Sequence, residues 1–304
     1  MVGIAATAQA LTFTCTTVAR KGNLDPSGEE LGTRYDSPGI NNQGDVVFFA
    51  HAKRAPRRLY LYPNAGAPSI VAEAGGAAPG GSAYKTFREP SINDAGDLAF
   101  QARLAVGEGV FVKPSASPVA KVATTTDAAP GGGVFETFPA VSRVNAGGDV
   151  AFIGRVSGGA DGVFVYDGGT LTVSAAGHVG DLTLEGREIC EVFEVGLGAT
   201  GTVVIHAATK LLCADAMEAE LRGIYRSIGP IFSKVVEAGD ATPIGGTIYD
   251  NFIGAPDVNA GDKVMYRART SGVVGVIGIF LTDPVGPTTT TLAATGNFPP
   301  AAAA

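Results

Sequence analysis

The sequence predicts an all-β fold, a five-bladed β-propeller of four-stranded antiparallel blades, on three observations. A unit of about fifty residues recurs along the chain. Each unit carries four short strand-like segments separated by turn residues. Glycine and proline, 43 and 18 of 304 residues, exceed the combined ~12% of an average protein, while 45% of the chain stays hydrophobic. Turn-rich and apolar together, the composition reads as many short strands rather than disorder. A β-solenoid is the competing array, but its rungs are shorter and hold fewer hairpin signals.

The unit is clearest from residue 71 onward. It opens on an apolar strand, Val71-Ala-Glu-Ala-Gly75, followed by Pro79-Gly80-Gly81, which forces a loop. A strand marked by Tyr84 and Phe87 follows, then Asn93-Asp-Ala-Gly96-Asp97. Asn and Gly tolerate positive φ and Asp caps nearby amides, so this pentapeptide is hairpin-turn chemistry. Leu98 to Arg103 has the composition of an interior strand, and Gly109-Val-Phe111-Val is a short apolar run bounded by turns.

The hairpin asparagines Asn41, Asn93 and Asn145 are spaced evenly, 52 residues apart. The fifth copy holds Val236-Glu-Ala-Gly239, Tyr249, Phe252, Asn259-Ala-Gly261-Asp262 and Gly278-Ile-Phe280. The fourth is eroded, with Gly198-Ala-Thr-Gly201-Thr202 in place of the hairpin. The organisation expected is an N-terminal strand or extension over residues 1–13, five repeats over 14–289, and a closing strand and tail over 290–304.

These residues carry a resemblance. Asn93 to Phe100 and Asn145 to Phe152 match the motif of the choice-of-anchor tandem repeat N-x-x-G-x-x-A-F family of secreted bacterial proteins. Asn41 to Phe48 departs only at Val47, and the last two copies depart further. The resemblance spans most of residues 14–296. It implies an exported, extracellular or cell-surface protein of unestablished function. No sorting tail is recognisable in the closing Phe298-Pro299-Pro300 and four alanines.

Two departures from the repeat attract attention. Unit four has an acidic strand region from Asp181 to Glu194 and an insertion, Leu211 to Arg222, rich in helix formers. The insertion is expected to form one short helix in a blade loop. It is either part of a binding face or divergence that neighbouring units tolerate. The Val-Ala-x-x-Gly strand also occurs six times, from Val18-Ala19 to Leu292-Ala293-Ala294-Thr295-Gly296, against five hairpins. Either both ends zip onto one blade, or one end adds to a neighbouring subunit's edge and builds a fibre.

Composition bounds the function. With 22 basic against 29 acidic residues and a net charge of -7, the chain lacks the basic face of a nucleic-acid binder. Its one basic cluster, Lys53-Arg54 with Arg57-Arg58, reads as a solvated loop. No apolar run reaches the ~20 residues of a membrane span. Residues 1–10 end in small residues like the tail of a signal peptide, or form a first edge strand. Of three cysteines, Cys190 and Cys213 fall on consecutive strands of one unit. They are placed to form a disulfide or to remain buried thiols, and Cys15 is left over.

Catalytic constellations are missing. His51, His178 and His206 lie in different units, and no nucleophile triad, zinc motif or phosphate loop stands in a suitable context. The repeated Asp45, Asp97, Asp149 and Asp262 supply too few oxygens per site for calcium and read as turn caps. Neither cofactor nor metal is expected. A basic residue follows the strand aromatic in four units, His51, Arg103, Arg155 and Arg269. Such a ring would bind an anionic sugar or a partner's carboxylates, unless each pairs within its own blade. The resulting expectation is a non-enzymatic extracellular module that binds a partner or assembles with itself. A glycan-binding propeller is the runner-up, and a hydrolase with a central-channel site is third.

Overall fold

The computed structural model describes residues 16–259, 261–272, 276–283 and 288–295. The expected N-terminal extension 1–13, Cys15 and the tail from residue 296 lie outside them. Five antiparallel sheets follow one another along the chain and form the five blades of a β-propeller. Blade 1 is β1 (Leu31–Ile40), β2 (Val46–Ala52), β3 (Arg57–Tyr62) and β4 (Ser69–Glu73). Blade 2 is β5 (Tyr84–Phe87) and β6 (Ser91–Ile92), which together make its first strand, then β7 (Leu98–Leu104), β8 (Glu108–Lys113) and β9 (Ala120–Thr124). Blade 3 repeats this with β10 (Val134–Thr137), β11 (Arg143–Val144), β12 (Val150–Ser157), β13 (Gly162–Asp167) and β14 (Thr172–His178). Blade 4 has β15 (Glu188–Leu197), β16 (Val203–Lys210), β17 (Leu221–Ile228) and β18 (Ile231–Glu237). Blade 5 closes with β19 (Thr247–Phe252), β20 (Asp257–Val258), β21 (Val264–Gly272), β22 (Ile277–Thr282) and β23 (Thr289–Ala294).

The phase of the repeat differs from the one its sequence boundaries suggest. The Val-Ala strand that opens each sequence unit is the fourth, outermost strand of the preceding blade, as β4 pairs with β3 and β9 with β8. The Pro-Gly-Gly loop therefore joins two blades rather than two strands of one. The last copy, in β23, pairs with β22 as the ordinary outer strand of blade 5. The surplus copy is Val18-Ala19, which lies in no strand.

Aromatic pairing across the second and third strands builds the core. Phe48 faces Tyr60, Phe100 faces Phe111, Phe152 faces Phe164 and Tyr266 faces Phe280, each pair stacked at 5.5–5.7 Å between ring centroids. Each rings pair of blades 2, 3 and 5 packs toward the preceding blade, where Phe49 of blade 1, for example, lies 5.4 Å from Phe87 of blade 2. One apolar cluster thus bridges each of the four joints between consecutive blades.

The hairpin asparagine joins the blades at their inner ends. Asn93 Oδ1 accepts the amides of Ala95 and Asp97, which closes the turn. Its Nδ2 donates to Asp97 at 2.8 Å and to the carbonyl of Asn145 in the next blade at 2.7 Å. Asn41 donates in the same way to Asn93, and Asn145 to Gly198. Asp45, Asp97 and Asp149 turn their other oxygen to the amides of Asn64, Ser115 and Gly168 in the loop between the third and fourth strands.

Asp262 is not their counterpart. It stands one position earlier, where the other hairpins have glycine, and adopts a left-handed φ of 56°. Lys263 occupies the capping position, and Asp262 instead accepts the Thr200 hydroxyl of blade 4 at 2.9 Å.

The blade 4 insertion forms turns rather than the expected helix. Cys213 is bonded to Cys190 of β15, and the Glu218 carboxylate accepts the amides of Leu211 and Leu212. These fixed points override a helix propensity that is weak over so few residues.

Candidate functional site

In a propeller the first strands line the axis, and here the residues just ahead of each hairpin converge there. Gly39, Ser91, Arg143, Leu197 and Asp257, one from each blade, line a central cavity of about 510 Å³ together with Glu89. Between them, blade 3 donates the amide of Val144 to the hydroxyl of Ser91 in blade 2 at 3.0 Å. The chain reaches the axis at a Pro-x-x-Asn run in blades 1, 2 and 5; in blades 2 and 5 the first strand is divided there, whereas β1 continues through Pro38.

Blade 4 has no proline in its first strand, which runs unbroken from Glu188 to Leu197 and is bulged twice against β16, as β1 is against β2. A second cavity of about 610 Å³ lies between blades 3 and 4, walled by Arg155, Asp161, Glu191, Phe193 and Glu194.

Glu194, on the wall of this cleft, feels the charges of two residues of the central cavity. Burial pushes its carboxyl above the usual range, the charge of Glu89 pushes the same way, and Arg143 opposes both. Glu89 and Arg143 both line the central cavity. Glu194 Oε2 and Arg143 Nε are each buried without a hydrogen-bond partner. One is an acceptor and the other a donor, and they come from different blades. Unpaired buried polar atoms cost about 1–3 kcal/mol each, so the pair is poised to be satisfied by something that enters.

The second strand of blade 4 adds His206, 5% exposed. Its ring lies 4.9 Å from that of Phe193 and 6.0 Å from that of Phe252 in blade 5, and neither ring nitrogen has a partner. Burial, with the nearby Arg222 charge, lowers its pKa to about 4. The Arg222 guanidinium covers Phe193 at 4.7 Å, so arginine, phenylalanine and histidine form one stack.

The four basic residues singled out in the sequence occupy equivalent ends of the second strands but not one site. Arg155 lines the cleft between blades 3 and 4. Arg103 lies 3.8 Å from Glu108 of its own blade. His51 stands opposite Arg57, and burial, Arg57 and Arg34 lower its pKa. Arg269 is on the open face of blade 5 opposite Ile277. Sequence reasoning passed over Glu89, Arg143, Glu194 and Asp257. For Arg143 and Asp257 a signal was present, because each stands just ahead of the valine and asparagine that open the hairpin.

A protein-family model matches residues 2–161 and again residues 40–303, and its description is a family of unknown function, DUF7453. The chain belongs to that family. Two overlapping matches are what a tandem array gives. No curated protein is a detectable relative. Among solved structures the chain is similar to TolB from Acinetobacter baumannii, at 15% identity and TM-score 0.47 over 88% of this chain and 57% of that one. It is similar to a puromycin-hydrolyzing peptidase of Mycobacterium tuberculosis, at 12% identity and TM-score 0.48 over 90% and 38%. A gluconolactonase from Xanthomonas campestris follows, at 8% identity and TM-score 0.39 over 86% and 88%. The chain thus spans little more than half of TolB and less than half of the peptidase. Likenesses at this level carry no argument about activity.

Proposed function

We propose that the chain is a non-enzymatic, exported binding propeller that takes a glycan at the central cavity and the adjoining cleft of blades 3 and 4. The observation that carries this is the pair of orphaned atoms, Glu194 Oε2 and Arg143 Nε. A sugar hydroxyl both donates and accepts, so a vicinal diol satisfies a carboxylate and a guanidinium at once. Arg155, Asp161 and Glu191 around the cleft add further hydroxyl partners, and the two cavities fall in the size range of small-ligand sites. Export is supported by the Cys190–Cys213 disulfide, since such bonds persist in oxidising compartments, and by the resemblance to secreted tandem-repeat proteins.

The test is a glycan array that includes acidic sugars, followed by calorimetry on hits. Glu194→Gln and Arg143→Ala each weaken binding by tenfold or more, and Arg103→Ala leaves it unchanged. Silence across the array, or hits indifferent to both substitutions, removes the reading. A second reading, glycoside hydrolysis, is favoured by one observation, the upward shift of Glu194 beside a second carboxylate at Glu89. A raised acid paired with a carboxylate is the pattern that reaction needs. Mass spectrometry of incubated hits separates the two, because a binder returns its glycan intact.

A further inference from the structure

Four of the five blades bury the face that looks toward the next blade. In blade 2, Ala99, Gln101, Val110 and Val112 are all within 2% of full burial on that face. In blade 5 no described residue covers the corresponding face. Met265, Arg267 and Arg269 of β21, Ile277 and Ile279 of β22 and Leu292 of β23 are exposed, Ile279 at 38% and Leu292 at 53%. The facing side of blade 1 needs no cover from it. Leu31, Phe48, Ala50 and Tyr60 are buried there with Ala19 packed against them, and Asp25 bonds Arg58 and the Tyr60 hydroxyl across it.

A matching surface stands on blade 4. The loop from Leu211 to Glu220 presents Leu211, Leu212 and Met217, the last 94% exposed, with the exposed carboxylates Asp215 and Glu220 beside them. It is held firmly for so exposed a loop. The disulfide ties Cys213 to β15, Cys213's amide donates to Glu188, and Glu218 takes two loop amides and the Arg187 guanidinium. A loop already fixed has little ordering cost to meet on binding.

We infer that the blade 4 loop of one copy docks on the open face of blade 5 of a second copy. Apolar side chains meet apolar side chains, and Asp215 and Glu220 meet Arg267 and Arg269, the complementarity that fixes register and orientation. A face-to-face pairing of two blade 5 surfaces would set arginines against arginines, which disfavours it. Since the two surfaces differ, the contact is head-to-tail, and it propagates into a ring or a filament. It is independent of the glycan site, which lies on the axis and the cleft of blades 3 and 4.

Sedimentation velocity on the full chain across a concentration series tests this, with Met217→Asp for the loop and Ile279→Asp for the face. Both positions are exposed, and circular dichroism confirms that the variants fold. Wild type is expected to grow in mean mass with concentration, and each variant to associate at least tenfold more weakly. An equimolar mixture of the two variants is expected to yield a dimer and nothing larger, because each retains one good surface and the two good surfaces meet once. A monomeric wild type at every concentration overturns the inference. So does association that either variant leaves unchanged, or a mixture that stays monomeric.

Discussion

His206 makes the stability of the protein depend on pH in a defined window. Its ring is enclosed by Phe193 and Phe252 with no partner for either nitrogen, and its pKa falls from 6.5 to about 4. The unfolded chain therefore binds a proton that the folded chain refuses between those values. Stability is complete above pH 6.5 and is lost as pH falls toward 4, and the full loss is about 3 kcal/mol at ~1.4 kcal/mol per unit. Between pH 7.5 and pH 5 the share is about 2 kcal/mol. Urea denaturation read by far-UV circular dichroism at intervals of half a pH unit measures it, since a shift of midpoint at constant slope is a change in stability.

Two other groups must be kept apart. Asp25 is buried, but bonds from Ser27, Tyr60, the Glu29 amide and Arg58 outweigh that and hold it at about 2, so its loss of stability comes below pH 4. Glu194 shifts upward, and its folded form therefore gains stability as pH falls, against the histidine. The experiment is cleanest in a Glu194→Gln background. There His206→Leu is expected to remove most of the loss between pH 7.5 and 5. If the parent and the His206→Leu variant lose stability in parallel, the ring is not buried uncharged and the packing of the blade 4–5 joint is misplaced.

The remaining expectations concern single bonds. Asn93→Ala removes four hydrogen bonds, two inside the turn and one to each of Asp97 and Asn145, and is expected to cost about 3 kcal/mol by chemical denaturation. Asn259→Ala removes two amide contacts at an exposed turn and is expected to cost about 1 kcal/mol, so equal losses would deny the bond between blades its role. Cys213→Ser opens a link across 23 residues and is expected to cost about 3 kcal/mol on loop entropy. Limited proteolysis should then cut between residues 211 and 220, and resistance there would show that Glu218 alone holds the loop.

What the sequence made legible follows from what repetition encodes. Hairpin chemistry at Asn41, Asn93 and Asn145 and the alternation around Phe100 and Phe152 are local, and they recur, so strand, turn and blade count could be read directly. Phase could not. Val71-Ala72 is as close in sequence to Tyr84 as to Leu59, and only the pairing of β4 with β3 assigns it to blade 1. The cleft of blades 3 and 4 was hidden for a similar reason. Its walls come from two blades, Arg155 and Asp161 from blade 3 and Glu191, Phe193 and Glu194 from blade 4, and no local motif brings them together. The insertion was misread as a helix because Leu, Ala, Met and Glu favour one, while the Cys190–Cys213 and Glu218 contacts that decide its shape are not local.

The joint of blades 4 and 5 argues that the erosion of the fourth hairpin is organised rather than decay. Asparagine is missing at 198, yet Asn145 still finds the carbonyl there. A side chain at that position would bring its Cβ to 2.7 Å from an oxygen of Asp262, so glycine is what the neighbour leaves room for. Asp262 is itself displaced from the capping position of its own turn to the glycine position, where it accepts a left-handed φ, a strain that needs a return. The return is the Thr200 hydroxyl, donated to both of its oxygens at 2.9 and 3.1 Å. Three departures from the repeat, Gly198, Thr200 and Asp262, thus form a single contact. It replaces the asparagine bond that joins the earlier blades, and it leaves blade 4 tied to its neighbour while its first strand and insertion diverge.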